Sequence, residues 1–297
     1  MNTACQRWNP GGVPSWRRPC DGGFDPGRYG VAPVSDGQAK EFVTGLHYSR
    51  SYPAAVHRYG LFDLAGPAPA LAGVAVLSVP ASKAVLTSVF PHLEPYGESL
   101  ELGRFVLVDA VPANGESWFL GQCARLAATA GLRGLVMFSD PVQRRSADGT
   151  VVMPGHVGVI YQAANAVYTG HGTPRTLTVL PDGTVFSDRA AQKIRRRERG
   201  HDYAERQLVS LGARPPRAGE DPARWLAAAL SDVHARKIRH PGCHRYAFPL
   251  GTRRQRAAVA IAPRPASYPK KYLGQLSLFE DRPGPAAAAD QAKAGAR

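Results

Sequence analysis

Cysteine is scarce in this chain, four in 297 residues, and Cys5, Cys20, Cys123 and Cys243 show no CxxC spacing. That excludes a disulfide-stapled secreted scaffold and the common four-ligand zinc modules, and the thiols are expected to stay reduced in a cytoplasm. Long apolar runs are also missing. The longest, LAGVAVLSV, starts at Leu71 and falls far short of the roughly 20 apolar residues a membrane span needs. The opening MNTACQRWNP has no apolar core, so no secretory leader is expected. There is no Walker loop, no GxGxxG after a strand and no GxSxG elbow, so those three routes to phosphate, dinucleotide and ester chemistry have no signature here.

What the chain does have is positive charge, and it is unevenly placed. The net charge is +14. Residues 31–190 hold 11 Lys/Arg and 12 Asp/Glu, whereas residues 191–275 hold 19 Lys/Arg and 6 Asp/Glu, a net of +13. A genomic preference for Arg explains Arg over Lys but not the confinement of the excess to one third of the chain. A near-neutral body joined to a basic segment suggests a polyanionic partner, most simply double-stranded DNA. Four regions follow: an irregular arm over 1–30, a core over 31–190, a basic, partly helical C-terminal extension over 191–275, and a disordered Ala/Pro-rich tail over 276–297.

Within the core, apolar spacing predicts a helix from Asp36 to Leu46 capped near Ser35, a break at Pro53, and an antiparallel pair formed by HRYGLFDL and LAGVAVLSV. A short helix follows over 83–89, a strand over 102–108, and a helix after Asn114 with Phe119, Cys123, Leu126 and Ala130 on its core face. The strand GLVMFSD, a helix placing Val157, Ile160, Tyr161, Ala164 and Tyr168 on one side, and a hairpin around Pro181-Asp182-Gly183 complete it. Strand, helix, strand, helix in that order is an α/β unit, and ligands in open α/β sheets bind beyond the carboxyl ends of strands. In the basic third, a helix capped by Asp221 carries the stripe Trp225, Leu226, Leu230, Val233 and Ile238.

Candidate functional residues sit within these elements and at their ends. Arg104 shares a strand face with Leu102, Val106 and Val108, and a cation among apolar neighbours needs an anion. A salt bridge to Glu116 or Asp140 and an anion or carbonyl clamp are equally open. Asp140 closes the run Leu135 to Phe138. Ser117 lies in a first helical turn, where backbone N–H groups are unpaired, and capping is its commoner use. Glu116 beside it suits the helix dipole but competes with any phosphate placed there. Tyr161 reads as packing unless its neighbours say otherwise. His234, His240, Cys243 and His244 match no zinc spacing and read as a basic turn facing phosphate, while His47, Asp140 and His156 form a remote candidate for a two-histidine, one-carboxylate iron site. Aromatics interleaved with Arg and Lys after His240 suit phosphate contacts and base stacking.

The order of LGRFVL, the NGES turn, GLVMFSD and VIYQAANAVY resembles a GNAT-type acyltransferase, which implies a mixed central sheet flanked by helices. More specifically, LHYSRSYP, ELGRFVL, ESWFLGQCARL, FSDPV, PGHVGVIYQAANAVYTGHGTPRTL, the DGTVFS hairpin, QKIR, HRYAFPL and SYPK together resemble the Mom family of phage DNA-modification proteins across most of residues 40–272. That resemblance implies an anti-restriction transferase which converts adenine in DNA to a carbamoylmethylated form at its exocyclic amine. It assigns Asp140 as general base or orienter of the amine, Tyr161 as acid, Arg104 and Ser117 as donor-holding groups, and Tyr48 with His47 as the contact to an extruded base. VPANGES departs from the usual acyltransferase pyrophosphate loop, so an acyl-CoA and an aminoacyl-type donor are both admitted. Arg195, Arg196, Arg197, Lys237 and Arg239 are the expected phosphate contacts. The competing readings are an acetyltransferase for a protein or small amine, which leaves the basic third idle, and a non-catalytic nucleic-acid-binding protein.

Overall fold

The computed structural model describes residues 5–8, 14–17 and 23–270. The tail assigned to 276–297 and the side chains of Trp8 and Trp16 lie outside the described residues. The described part of the N-terminal arm is a hairpin, β1 Cys5–Trp8 paired antiparallel with β2 Pro14–Arg17, in place of an irregular segment.

The core begins at β3 Tyr29–Pro33 and α1 Asp36–Leu46, where the Ser35 hydroxyl and the Gln38 side chain close a reciprocal capping box. β4 Ala55–Asp63 and β5 Ala70–Ser78 form the expected hairpin. A four-residue α2 Ala84–Thr87 leads to β6 Ser99–Leu107, then α3 Gly115–Thr129 and β7 Gly134–Ser139. After β7 come a small hairpin, β8 Arg144–Arg145 with β9 Val151–Met153, then α4 Val159–Ala163 and β10 Val167–His171. The helix expected over 157–168 is thus only five residues long. Gly155 and Gly158 have positive φ and delay its start, and Asn165 at φ 59° ends it, which puts Tyr168 on a strand.

Residues 175–240 then leave the sheet. They form β11 Arg175–Val179, β12 Val185–Phe186, α5 Asp188–Arg196, α6 His201–Ser210, α7 Pro222–Asp232 and β13 Arg236–His240. β14 His244–Pro249 returns to the sheet, and α8 Arg253–Ala258 follows. The central sheet has seven strands in the order β10-β14-β7-β6-β5-β4-β3. Every neighbouring pair is antiparallel except β6 with β7. This is the expected mixed central sheet flanked by helices.

The basic third departs from the boundaries drawn for it. Because β14 sits between β10 and β7, the helical part is an insertion between two sheet strands, and the described residues as far as Ala266 belong to one compact unit. The alternation in HRYAFP is that of a central strand: Tyr246 and Ala247 are fully buried, one on each face. The insertion has its own core, in which Leu180, Phe186, Ile194, Leu208, Trp225 and Leu226 are buried. The predicted stripe holds through Val233, but Ile238 lies on β13, because α7 ends at Asp232 and His234 turns left-handed at φ 53°. No helix among the described residues is long and apolar enough to cross a membrane.

Candidate active site

The site forms where two parallel strands part. β6 and β7 pair only from Ser99 to Glu101 against Gly134 to Val136, and beyond that they diverge. At the same point β6 carries a bulge. Leu102 pairs with Leu77 and Arg104 with Val76, leaving Gly103 as the additional residue. A Cβ on Gly103 would collide with the Ser78 hydroxyl, so only glycine fits this close approach. The bulge reverses the alternation. Leu100, Leu102 and Leu107 pack in the main core, whereas Val106 packs under α1 with Val74 and Val76. Leu102 and Arg104 therefore do not share a face, contrary to the plain alternation; Glu101 and Arg104 do.

Arg104 meets no carboxylate. Its Nε donates to the Ser51 carbonyl at 2.9 Å, Nη1 to the Gly103 carbonyl at 2.5 Å and Nη2 to the Ser51 hydroxyl at 2.6 Å. Burial lowers its pKa, while Tyr48 and Glu101 act the other way. The salt-bridge alternative is excluded, since Glu116 pairs with Arg7 and Asp140 with Arg144 and His240. Glu101 receives no hydrogen bond or ion pair among the described residues, and burial raises its pKa against the pull of Arg104.

Asp140 is treated oppositely. One carboxylate oxygen accepts from the Val142 N–H at 2.9 Å and from His240 Nε2 at 2.9 Å, and the other from Arg144 Nη1 at 2.8 Å. Burial pushes its pKa up, but these donors together carry it below the usual carboxylate value. His240 is fully buried at the end of β13, and its Nδ1 accepts from the Gly242 N–H at 3.0 Å, which leaves the proton on Nε2. The expected base is thus a satisfied anion, and His240 is part of the site instead of a phosphate-facing turn.

Tyr161 approaches from α4. Its hydroxyl donates to the Phe138 carbonyl at 3.3 Å, and burial, with Tyr48 and Glu101 nearby, raises its pKa. Tyr48 stands between these groups: burial raises its pKa, and Asp140, Arg104 and Arg144 all lie within electrostatic reach. His47 lies tilted against Tyr48 at 4.2 Å between ring centroids, accepts at Nδ1 from the Ser49 N–H, and is pushed down to about 3 by burial and by Arg104, so it is neutral at pH 7. Arg104, Asp140, Tyr161, Tyr48 and His47 are therefore brought together. Ser117 is not: its hydroxyl donates back to the Asn114 carbonyl at 3.1 Å.

The turn before α3 does not fit a CoA pyrophosphate. It points carbonyls inward. Arg7 donates to those of Val108, Asp109, Val111 and Pro112, and to Glu116 at 2.7 Å. Glu116 Oε2 is buried without a partner. A diphosphate at the first turn of α3 would meet the Glu116 carboxylate, whose Oε2 has no partner to offset its charge. Asp140, His240 and Cys243 have ligand atoms within 4.8 Å of one another. Both His240 nitrogens are engaged, by Asp140 and by the Gly242 N–H, and burial pushes the Cys243 thiol up to about 11. His47 and His156 do not complete a ligand set with Asp140 among the described residues. The second such group, His201, Asp202 and Glu205, is closed by Arg197 and His201 bonding Glu205.

Arg195 and Arg196 are exposed on the last turn of α5, whereas Arg197 takes a left-handed cap at φ 50° and bonds Glu205 at 2.9 Å. Lys237 and Arg239 are exposed on β13, on the face opposite Arg236, Ile238 and His240. Sequence reasoning missed Glu101 and His240. A glycine inside the strand ELGRF was the available sign of the bulge; nothing local announces that His240 reaches a residue 100 positions away.

The model of the Mom protein family matches residues 28–270. No curated protein matches the chain. Among solved structures, a tandem GNAT protein from the clavulanic acid biosynthesis pathway, without AcCoA, is 10% identical with a TM-score of 0.37, covering 75% of this chain and 99% of that one.

Proposed function

The chain belongs to the Mom protein family, and from that membership and the geometry of the splay we propose that it is a transferase that adds a carbamoylmethyl-type group to the exocyclic amine of adenine in DNA, shielding the DNA from restriction. One observation carries the chemistry: an unpaired carboxylate with a raised pKa, Glu101, shares a strand face with a guanidinium that has no counter-ion, Arg104. A carboxylate of that kind takes up a proton more readily than a free one, and a cation of that kind awaits an oxygen anion.

In this reading the adenine amine attacks an electrophilic carbon of the donor. The new carbon–nitrogen bond forms as the bond to the leaving group breaks. Glu101 takes the proton from the amine. Tyr161, whose raised pKa keeps its proton in place at pH 7, gives one to the leaving group. Arg104 holds the donor oxygen that gains charge. Asp140 fixes Arg144 and His240 around the cleft instead of acting as the base. Tyr48 supports the base once it has left the duplex stack, with the neutral His47 behind it. To leave a carbamoylmethyl group in one displacement, the attacked carbon is a donor methylene that bears the leaving group beside a carboxamide, since attack at an aminoacyl carbonyl would leave an isomeric aminoacyl amide; such a donor needs no diphosphate at α3. DNA is drawn to the exposed cations of the insertion, Arg195, Arg196, Lys237 and Arg239.

The test is nucleoside mass spectrometry on plasmid DNA from cells expressing the protein. A heavier adenine nucleoside, absent with Glu101→Gln, is the expected result. Unmodified adenine in a host that supplies the donor would leave the protein or small-amine acetyltransferase in its place.

A further inference from the structure

Beside the splay lies an open cavity of about 210 Å³ lined by Gln143, Arg144, Arg145, Val179, Arg236 and Ile238. It is formed where the β8–β9 hairpin meets the β11–β13 edge of the insertion. Two hydrogen bonds join these parts: Arg236 Nη2 donates to the Arg145 carbonyl at 3.0 Å, and the Ala147 N–H donates to the Pro181 carbonyl at 2.6 Å. Val179 and Arg236 are cross-strand partners, as are Leu177 and Ile238, so the apolar floor is set by sheet register.

Three guanidiniums surround that floor and no carboxylate lines it. Arg144 is spent on Asp140. Arg145 donates only to Gln143 Oε1 and the Gly149 carbonyl, and neither Arg145 nor Arg236 forms an ion pair among the described residues. Two uncompensated guanidiniums above Val179 and Ile238 match the two halves of a nucleotide, a phosphate and a planar base. The position is also specific. Arg236, Ile238 and His240 share one face of β13, and His240 is bonded to Asp140. That face leads from the exposed Arg236 at the cavity to the buried His240 at the cleft over four residues, about 13 Å, so a nucleotide held at the cavity lies one short step from the cleft.

We propose that this cavity is a nucleotide subsite of the DNA-binding face, taking the phosphodiester of a nucleotide next to the target adenine on Arg145 and Arg236 and its base over Val179 and Ile238. The proposal rests on the DNA-modifying reading and adds the place that sets where the target adenine enters. It differs from the contacts of Arg195 and Arg196, which attract any duplex.

The experiment uses the full chain and duplexes with one target adenine, in which single uncharged methylphosphonate linkages are scanned on both sides of that adenine. Wild type is compared with the Arg145→Ala/Arg236→Ala double variant and with Arg195→Ala/Arg196→Ala. The cavity variant should weaken binding about tenfold, raise KM for DNA, and flatten the salt dependence by about 0.9 in slope for each phosphate it no longer neutralises. At one linkage position the uncharged substitution should weaken wild type yet leave the cavity variant unaffected, while Arg195→Ala/Arg196→Ala stays sensitive to it. Unchanged binding by the cavity variant, or an equal penalty in wild type and cavity variant at every position, would overturn the subsite. If wild type modifies DNA and the cavity variant behaves as wild type, only the subsite falls. If folded wild type neither binds nor modifies DNA, the DNA reading and the subsite fall together.

Discussion

In the splay, Arg104 is half-buried, bonded to two backbone carbonyls and the Ser51 hydroxyl, and faces Glu101 without an ion pair. On the insertion, Arg195 and Arg196 stand exposed in the last turn of α5, and Arg197, one residue later, is closed against Glu205. The same side chain does different work in the two regions because the surroundings weight its charge differently. In the cleft, a low effective dielectric makes each charge decisive at short range and shifts the proton affinity of its neighbours. On the insertion, water and salt reduce each cation to a small share of a long-range field, so only the number of free cations counts. In the proposed reading, chemistry and attraction are thereby divided between a region of few strong charges and one of many weak charges.

The largest effect should come from the carboxylate that nothing holds. Glu101→Gln removes the base and keeps the shape, and modified adenine should fall by roughly two to four orders of magnitude. Folding should not suffer. Because burial raises the Glu101 pKa, ionising it costs stability as pH rises through the interval between its unfolded and folded values. Thermal unfolding at pH 7 should therefore find the variant at least as stable as wild type. In wild type, activity should decline as pH falls through the raised pKa, and a profile with no acidic limb that Glu101→Gln abolishes would remove Glu101 as the base.

Asp140 sharpens the contrast from the other side. Asp140→Asn places an amide against three donors, and at least one of the Arg144, His240 and Val142 hydrogen atoms loses its acceptor. A buried donor left unpaired costs about 1–3 kcal/mol, so this variant should lose stability as well as activity, measurable by chemical denaturation. The pH sign is opposite to that of Glu101. The folded pKa is depressed, so the contribution of Asp140 is present above its unfolded value and is lost as pH falls through the folded one. Equal stability of wild type and Asp140→Asn at pH 7 would place those donors in bonds to other groups.

Much of this was legible in the chain, and the limits have physical causes. The capping box at Ser35, the alternating runs of β4 and β5 and the core face of α3 are local signals, and they held. Sequence spacing also placed Arg104 within a strand, Asp140 at a strand end and Tyr161 within a helix, where the structure has them. Two things did not show. The bulge at Gly103 changes which residues share a face with Arg104, and strict alternation hides it. The return of HRYAFP into the sheet depends on pairing with Gly134 to Ser139 more than 100 positions upstream, so the basic third read as an extension. With that return came His240, whose role is wholly non-local.

The insertion tests the second half of the comparison with smaller effects. Arg195→Ala with Arg196→Ala should lower DNA affinity similarly for all sequences and reduce the salt slope by about 0.9 for each phosphate left without its cation, as read by binding titrations over a range of salt. Affinity and slope equal to wild type would mean that α5 does not face DNA.

Arg197 divides that triplet. Arg195 and Arg196 form no ion pair among the described residues, but Arg197 Nη1 is held by Glu205, which is also bonded by His201, and the left-handed backbone of Arg197 closes α5. The partner carboxylate is largely buried while the arginine is partly exposed, so the pair is worth at most about 1 kcal/mol after solvent screening. Arg197→Ala should therefore move the unfolding midpoint slightly downward and leave the salt slope of DNA binding untouched. Replacement by glycine should soften even that loss, since glycine takes a φ of 50° at little steric cost. A salt slope that drops for Arg197→Ala as it does for Arg195→Ala would show that the Glu205 pair opens to release this cation to phosphate, and the line between structural and attracting arginines would then move by one residue.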